Sequence, residues 1–167
     1  MYEIMISIKN KSYLTPVLLI NNKEISLTKN KRKNVFIGHF FIEEQTAEIE
    51  IYNYQPLESK YWFLIHYLFF IISFFGIFDI QYDKTGKSLL YKSCVDLNGR
   101  NCLNFVLSSF KANETAVLFD GESIEKENRF YINETIRKRG KTLKIAKTFS
   151  WILGIIIGII CVVVIFF

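Results

Sequence analysis

The chain has 167 residues, half of them hydrophobic, and its 21 Lys and Arg against 16 Asp and Glu give a net charge of +5. Once two long apolar runs are set aside, too few residues remain for a large enzyme core, so we expect one modest domain or two marginal ones. The basic excess lies beside the last apolar run, where contact with anionic lipid explains it better than nucleic-acid binding does.

The first sixty residues alternate between apolar and polar side chains, which is typical of half-buried antiparallel strands. Asn22 and Lys23 lie between two short apolar runs and predict a two-residue turn that pairs Ile20 with Ile25. Pro16 cannot donate a hydrogen bond to a neighbouring strand, so we expect its strand at a sheet edge or a bulge at this position.

A second hairpin is predicted from the runs 35–42 and 47–54, joined by a two-residue turn at Glu44-Gln45. In that register His39 lies opposite Glu50 on the solvent face. We interpret this pair as a surface contact between strands and not as a metal or acid–base site, because no second His or Cys is nearby.

Residues 61–80 form the first apolar run, in which Trp62 to Phe78 carry no charge. This length is at the lower limit for a membrane span. On a helix His66, Ser73 and Gly76 share one face, and we call these three residues the polar stripe. Small and polar side chains in a membrane segment usually contact protein, so we predict that the polar stripe packs against another helix.

A third hairpin is predicted between residues 88–97 and 101–110, with a three-residue loop at 98–100 that aligns the apolar side chains of both strands. In that register Cys94 and Cys102 are diagonal neighbours, about 7 to 8 Å apart and beyond disulfide geometry. We therefore predict that all three cysteines of the chain are free thiols. Short strands at 115–119 and 129–133 follow.

The last residues, 149–167, are apolar and uncharged. At about 1.5 Å per residue they make roughly 28 Å of helix, close to the thickness of a bilayer's hydrocarbon core, and they predict a transmembrane helix. Ser150, Gly154 and Gly158 are spaced four residues apart and form a groove of small residues. We expect this groove to receive the polar stripe or the same groove of a second copy.

A basic stretch, residues 135–148, leads into this helix and predicts a juxtamembrane helix that weakens at Gly140. Its positive side chains are expected to contact anionic lipid headgroups. They are Arg137, Lys138, Arg139, Lys141, Lys144 and Lys147.

The sequence leaves the membrane topology open. The positive-inside rule predicts that residues 81–148 are cytoplasmic and that the C-terminus lies outside. If 61–80 also spans, either residues 1–60 are exported without a recognisable signal sequence or the basic region is exported against its charge. We favour a third arrangement, in which 61–80 dips into the cytoplasmic leaflet and both β-regions share one core on the same side.

These features predict a mainly β fold with membrane helices: an antiparallel β-meander or sandwich built from residues 1–57 and 82–134, plus two apolar α-helical membrane segments. The predicted regions are β-strands at 1–60 and 81–134, a membrane segment at 61–80, a basic helix at 135–148 and a transmembrane helix at 149–167.

The sequence contains no Gly-rich phosphate loop, nucleophile elbow or paired metal ligands, so we expect no catalysis, cofactor or metal. The favoured function is a membrane-anchored β-module that serves as a binding, accessory or scaffold subunit of a membrane or envelope complex. The alternative is a small transport, pore-forming or immunity-type protein whose two helices are the active part.

The expected partners are anionic headgroups, together with another protein or a second copy bound through the membrane helices; nucleic acid is not expected. A bias toward Ile, Lys, Asn and Phe favours a bacterial source, hence a plasma-membrane protein with mainly cytoplasmic polar regions.

Overall fold

The computed structural model describes residues 2–12, 14–73 and 86–166. In chain order its elements are β1 (Tyr2–Asn10), β2 (Pro16–Ile20), β3 (Lys23–Ile25), β4 (Thr28–Asn30), β5 (Val35–Ile42), β6 (Thr46–Asn53), α1 (Trp62–Ile72), β7 (Lys87–Asp96), β8 (Cys102–Leu107), β9 (Val117–Phe119), β10 (Ser123–Ile132) and α2 (Glu134–Phe166).

The chain folds into two compact units, each built from two separate stretches of sequence. Unit 1 combines Met1–Tyr54 with Lys87–Ile132 and contains the strands. Unit 2 combines Gln55–Gly86 with Asn133–Phe167 and contains the helices. The prediction that both β-regions belong to one mainly β fold is confirmed.

Unit 1 has two five-stranded sheets. Their strand orders are β4-β5-β1-β8-β9 and β10-β7-β6-β2-β3. Neighbouring strands are antiparallel except β1 and β8, which are parallel. The inward side chains of both sheets, such as Ile6, Leu18, Ile49 and Phe105, form one hydrophobic cluster. Burial of each such side chain contributes about 1.5 to 3 kcal/mol, so this shared core holds the two sheets together.

Two of the predicted hairpins are wrong. Strands β5 and β6 lie at the expected positions but belong to different sheets, and the same is true of β7 and β8. The predicted inward residues, including Phe40 and Ile49, are nevertheless buried. Alternation determines which side chains face the core, and it does so equally whether two strands pair directly or face each other across that core.

The first predicted turn also shifts. Asn21 and Asn22 have φ angles of 48° and 64°, and Ile20 pairs with Lys23 instead of Ile25. A tight two-residue hairpin turn needs positive φ at both central residues, which Asn tolerates better than Lys does. The turn therefore uses the two asparagines.

Pro16 is the first residue of β2 and pairs with Asn53 of β6 on one side. On the other side, the pairing of β2 with β3 extends only as far as Leu18. No strand lies beside Pro16 on that side to need a hydrogen bond from its backbone nitrogen. Strand β2 is internal in the sheet order, and only its first residues are open. Strand β10 begins at Ser123, earlier than predicted.

Unit 2 has a small core of Leu57, Ile136 and Leu143, against which Trp62 and Tyr67 pack. Helix α2 is continuous, which corrects the predicted weakening at Gly140. Helix α1 has 11 residues, and a second membrane-spanning helix is not supported. Residues 74–80 of the predicted segment lie outside the described part of the chain.

Candidate membrane interface

The second half of α2 is the most apolar surface that the structure describes. Helix α2 is the one helix among the described residues that is long and apolar enough to cross a membrane, and no part of its most apolar 18-residue window is buried by protein. From Ile155 to Phe166 the side chains are exposed around the whole helix. Such a surface is typical of a helix surrounded by lipid.

The first half of α2 differs because one of its faces is covered. Ile136, Gly140, Leu143 and Lys147 are buried, and their spacing of three or four residues aligns them along one side. This part of α2 packs on protein, whereas the side chains from Ile155 to Phe166 are exposed.

Two of the six predicted lipid-binding cations lie on this covered face. Arg139 Nη1 donates to the carbonyl oxygens of Leu57 at 2.8 Å and Glu58 at 3.1 Å, and its guanidinium lies 5.7 Å from the centre of the Trp62 ring. Lys147 is 5 % exposed, and its Nζ lies 5.3 Å from the centre of the Phe70 ring. Both residues therefore contribute to the packing between α2 and the segment that contains α1.

The other four cations, Arg137, Lys138, Lys141 and Lys144, are exposed. Arg137 also forms an ion pair with Glu134 at 3.2 Å. Contact of these side chains with anionic lipid stays a prediction, and their position just before the apolar half of α2 is where such contact is strongest.

Helix α1 has two unlike faces. Trp62, Tyr67 and Phe70 are at least partly buried, and the Tyr67 hydroxyl hydrogen-bonds Ser150 Oγ at the start of the apolar half of α2. The other face consists of large apolar side chains that are 40 to 74 % exposed. They are Phe63, Leu64, Ile65, Leu68, Phe69, Ile71 and Ile72.

The predicted helix-packing residues come together only in part. His66 and Ser73 are half-buried, but His66 Nε2 contacts the Pro56 carbonyl oxygen at 2.9 Å and Ser73 Oγ bonds within α1. Gly76 lies outside the described residues. In the groove of small residues, Ser150 contacts α1 and Gly154 is half-buried. Among the described residues, a Cβ on Gly158 would meet nothing within 4 Å.

Sequence reasoning missed Tyr67 as the contact to Ser150. The available signal was a hydroxyl in a segment rich in Phe, because a buried Tyr usually finds a hydrogen-bond partner.

In unit 1, the pairing predicted between His39 and Glu50 is wrong. His39 Nδ1 lies 3.0 Å from Glu3 Oε1, since β5 pairs with β1, and both side chains are about half exposed. Glu50 instead lies 3.6 Å from Lys92. Within the described ranges no three His, Cys, Asp or Glu side chains cluster closely enough to hold a metal ion.

Glu48 forms the strongest charge contact on the outer face of β6. Its Oε1 lies 2.8 Å from Lys126 Nζ and 3.7 Å from Lys92 Nζ. The hydrogen bond and charge of Lys126, with a smaller effect of Lys92, lower the pKa of Glu48, and the pKa of Lys126 is raised in return. This is a structural surface contact between strands.

All three cysteines are free, as predicted, but for a different reason. Cys94 lies in β7 and Cys102 in β8, which belong to different sheets, and neither side chain faces the shared core. The two thiols are therefore on opposite outer faces of unit 1.

No family model, curated protein or solved structure matches the chain. The features that bear on function are therefore the apolar half of α2, the exposed face of α1 and the strands of unit 1.

Proposed function

We propose that the chain is a membrane-anchored β-module without catalytic activity, which serves as a binding, accessory or scaffold subunit of a complex at the bacterial plasma membrane. In this proposal α2 crosses the membrane once, α1 lies in one leaflet, and unit 1 is held at the cytoplasmic face.

One observation carries the proposal: strands β6 and β7 are neighbours in one sheet, with Tyr52 beside Leu90. The chain leaves this sheet after Tyr54 and returns to it at Lys87. A sheet cannot be divided by a bilayer, because each strand needs its neighbour's hydrogen bonds. This supports one location for both halves of unit 1 and disfavours a single crossing by residues 61–80.

The length and surface of α1 support a position within one leaflet. Its 11 residues extend about 16 Å, roughly half the hydrocarbon thickness. Tyr67 contacts Ser150, so α1 lies beside the first turns of the apolar half of α2, while its other, apolar face stays exposed. Burying that face in lipid removes large apolar side chains from water, worth about 25 cal/mol per Å².

The cytoplasmic side is supported by charge. Four exposed cations, Arg137, Lys138, Lys141 and Lys144, precede the apolar half of α2, and the residues after Ser150 carry none. Under the positive-inside rule, this asymmetry favours a cytoplasmic position for the start of α2.

The position of α1 is tested with the full chain in lipid nanodiscs. The native cysteines are replaced, and a fluorophore is attached to a single cysteine at Leu68 or, as the matched control, at Lys138. We expect lipid-borne quenchers to act on Leu68→Cys and aqueous iodide to act on Lys138→Cys. Equal quenching of both positions by iodide would contradict a leaflet position for α1.

The role as a subunit is tested by purification from native membranes in a mild detergent. We expect a second protein in fixed stoichiometry with this chain. Recovery of the chain alone, at native expression and after crosslinking in intact membranes, would contradict a role as an accessory or scaffold subunit.

Among the described residues, no observation favours the alternative of a two-helix intramembrane device. Of the helices that the structure describes, only α2 has the length of a span, and His66 of α1 contacts the Pro56 carbonyl oxygen.

A further inference from the structure

We propose that one end of unit 1 binds the anionic phospholipid headgroups of the membrane in which α2 is anchored, an inference that rests on the proposed function. We call this end the basic end. It carries six exposed cations: Lys9, Lys11, Lys29, Lys31, Arg32 and Lys33.

Strand pairing brings these residues together from two separate stretches of sequence. Lys9 lies beside Val35 at the end of β1, and Asn30 lies beside Val35 at the end of β4. The backbone N–H of Asn10 donates to the Asn34 carbonyl oxygen at 3.0 Å, and Asn34 Nδ2 donates back to the Asn10 carbonyl oxygen. The loop that carries Lys31, Arg32 and Lys33 is thus fastened to the strand end that carries Lys9 and Lys11.

The backbone around Lys11 is held by buried polar side chains. Asn10 is 4 % exposed, and its Oδ1 accepts hydrogen bonds from Ser12 N at 2.9 Å and Ser12 Oγ at 2.8 Å. Asn10 Nδ2 donates to the Leu14 carbonyl oxygen at 2.5 Å. This fixed loop presents Lys11 to solvent on the same end as the β4–β5 loop.

The basic end is not neutralised by its surroundings. None of the six cations forms an ion pair with another described residue, and Lys29 lies 5.3 Å from the centre of the Phe36 ring. A cluster of four to eight exposed Lys and Arg is the usual recognition feature for anionic headgroups.

The opposite end of unit 1 carries the reverse charge, and we call it the acidic end. Lys23 and Arg100 are basic residues at this end, but they are outnumbered by carboxylates at or beside the strand ends. These carboxylates are Glu43, Glu44, Asp96, Asp120 and Glu122. The fold therefore separates opposite charges in space, which gives unit 1 one end suited to a negative surface and one that such a surface repels.

The basic end is also where the chain passes between the units. Tyr54, the last residue before the first passage, donates its N–H to the Thr15 carbonyl oxygen at 3.1 Å, in the same connection that contains Lys11. Lys87 and Ile132, beside the other two passages, are paired in β7 and β10. From Ile132 to Phe149 the chain is almost entirely helical, so it extends about 25 Å at most.

This short tether favours lipid over other polyanions. The headgroups of the anchoring membrane are present at a high and constant local concentration, whereas a free polyanion must be recruited from solution. The attraction adds up over six charges and falls off over a Debye length of about 8 Å at physiological salt.

The test places the full chain in nanodiscs, with the native cysteines replaced and a donor dye on a single cysteine. Asn30→Cys reports on the basic end and Gln45→Cys, an exposed position at the acidic end, is the matched control. Energy transfer is measured to an acceptor on lipid headgroups. With anionic lipid we expect roughly twofold more transfer from Asn30→Cys than from Gln45→Cys, since the ends of an eight-residue strand are about 25 Å apart.

We expect this excess to decrease in neutral lipid, in high salt, and in the triple variant Lys31→Gln, Arg32→Gln, Lys33→Gln. Equal transfer from both positions, or an excess that none of these changes reduces, would overturn the proposal. Quenching at Leu68→Cys in the same nanodiscs reports separately on α1. If lipid quenchers still act on Leu68→Cys while the energy transfer from Asn30→Cys shows no excess, the proposed function is retained and only lipid binding by the basic end is ruled out.

Discussion

Tyr52 and Leu90 are register partners on adjacent antiparallel strands, although the whole middle apolar segment lies between them in the sequence. Their pairing makes the segment from Gln55 to Gly86 an excursion from one sheet that returns to the next strand. The two halves of unit 1 therefore fold together or not at all.

We predict that Arg139→Ala destabilises the packing of α2 against residues 55–60. The change removes two hydrogen bonds to backbone carbonyls and the contact with the Trp62 ring, and a loss of about 1 to 3 kcal/mol is expected. Hydrogen exchange of the amides of residues 55–65 measures it. The control is Lys138→Ala, whose side chain is exposed; equal protection in both variants would contradict this role for Arg139.

Gly158→Leu should leave the packing of α1 against α2 unchanged. A Cβ at Gly158 meets no described atom within 4 Å, and the contacts between these helices lie earlier in α2, at Lys147 with Phe70 and at Ser150 with Tyr67. Within the part of the chain that the structure describes, the predicted groove therefore has no partner at Gly158, which leaves a contact between copies as its role there. Crosslinking within the chain, from Tyr67→Cys to Ser150→Cys, should be retained, while crosslinking between copies should decrease if the groove forms a dimer contact. Loss of the crosslink within the chain would show that Gly158 contacts α1.

Stability should decrease in acid through Glu48. Its pKa is lowered mainly by Lys126 in the folded state, so the folded state favours the ionised carboxylate. This stabilisation is present above the pKa that Glu48 has in the unfolded chain and is lost as the pH falls through the lower, folded value. The free energy of unfolding, measured with denaturant across this pH range, should decrease less on acidification in Glu48→Gln than in wild type. The control is Glu24→Gln, and an unchanged dependence in Glu48→Gln would contradict the prediction.

Tyr91→Phe should not destabilise unit 1. Tyr91 is fully buried, its hydroxyl has no hydrogen-bond partner of good geometry among the described residues, and burial raises its pKa. The nearby hydroxyls of Ser93 and Ser123 oppose this rise only in part. Because an unpaired buried hydroxyl costs about 1 to 3 kcal/mol, its removal should be neutral or stabilising. A clear loss of stability in denaturant unfolding would mean that the hydroxyl is hydrogen-bonded, for example to a buried water.

The sequence predicted which side chains are buried better than which strands are neighbours. Phe40 and Ile49 face the core as alternation requires, yet β5 and β6 do not pair. A turn between two strands can close a hairpin or cross from one sheet to the other, and both outcomes bury the same residues. Strand order depends on how all ten described strands pair with one another, and a local sequence pattern does not carry that information.

The candidate sites, too, could be predicted only where a local pattern defines them. The apolar half of α2 is predictable because length and hydrophobicity alone define it. Arg139 and Lys147 face the segment that contains α1 because one particular face of α2 is covered, which the sequence does not show. Lys9 and Lys11 lie near the loop at Lys31 because β1 pairs with β5, which is a contact between distant parts of the chain.

The most direct test of a single-sided β-unit is cysteine labelling in intact cells. Single cysteines are introduced at Gln45 and at Glu122, exposed positions in the two sequence halves of unit 1, with the native cysteines replaced. An impermeant maleimide is added before and after permeabilisation. We predict that neither position is labelled in intact cells and that both are labelled afterwards. Labelling of one position without the other in intact cells would mean that residues 61–80 cross the membrane, and it would contradict the shared sheet of β6 and β7.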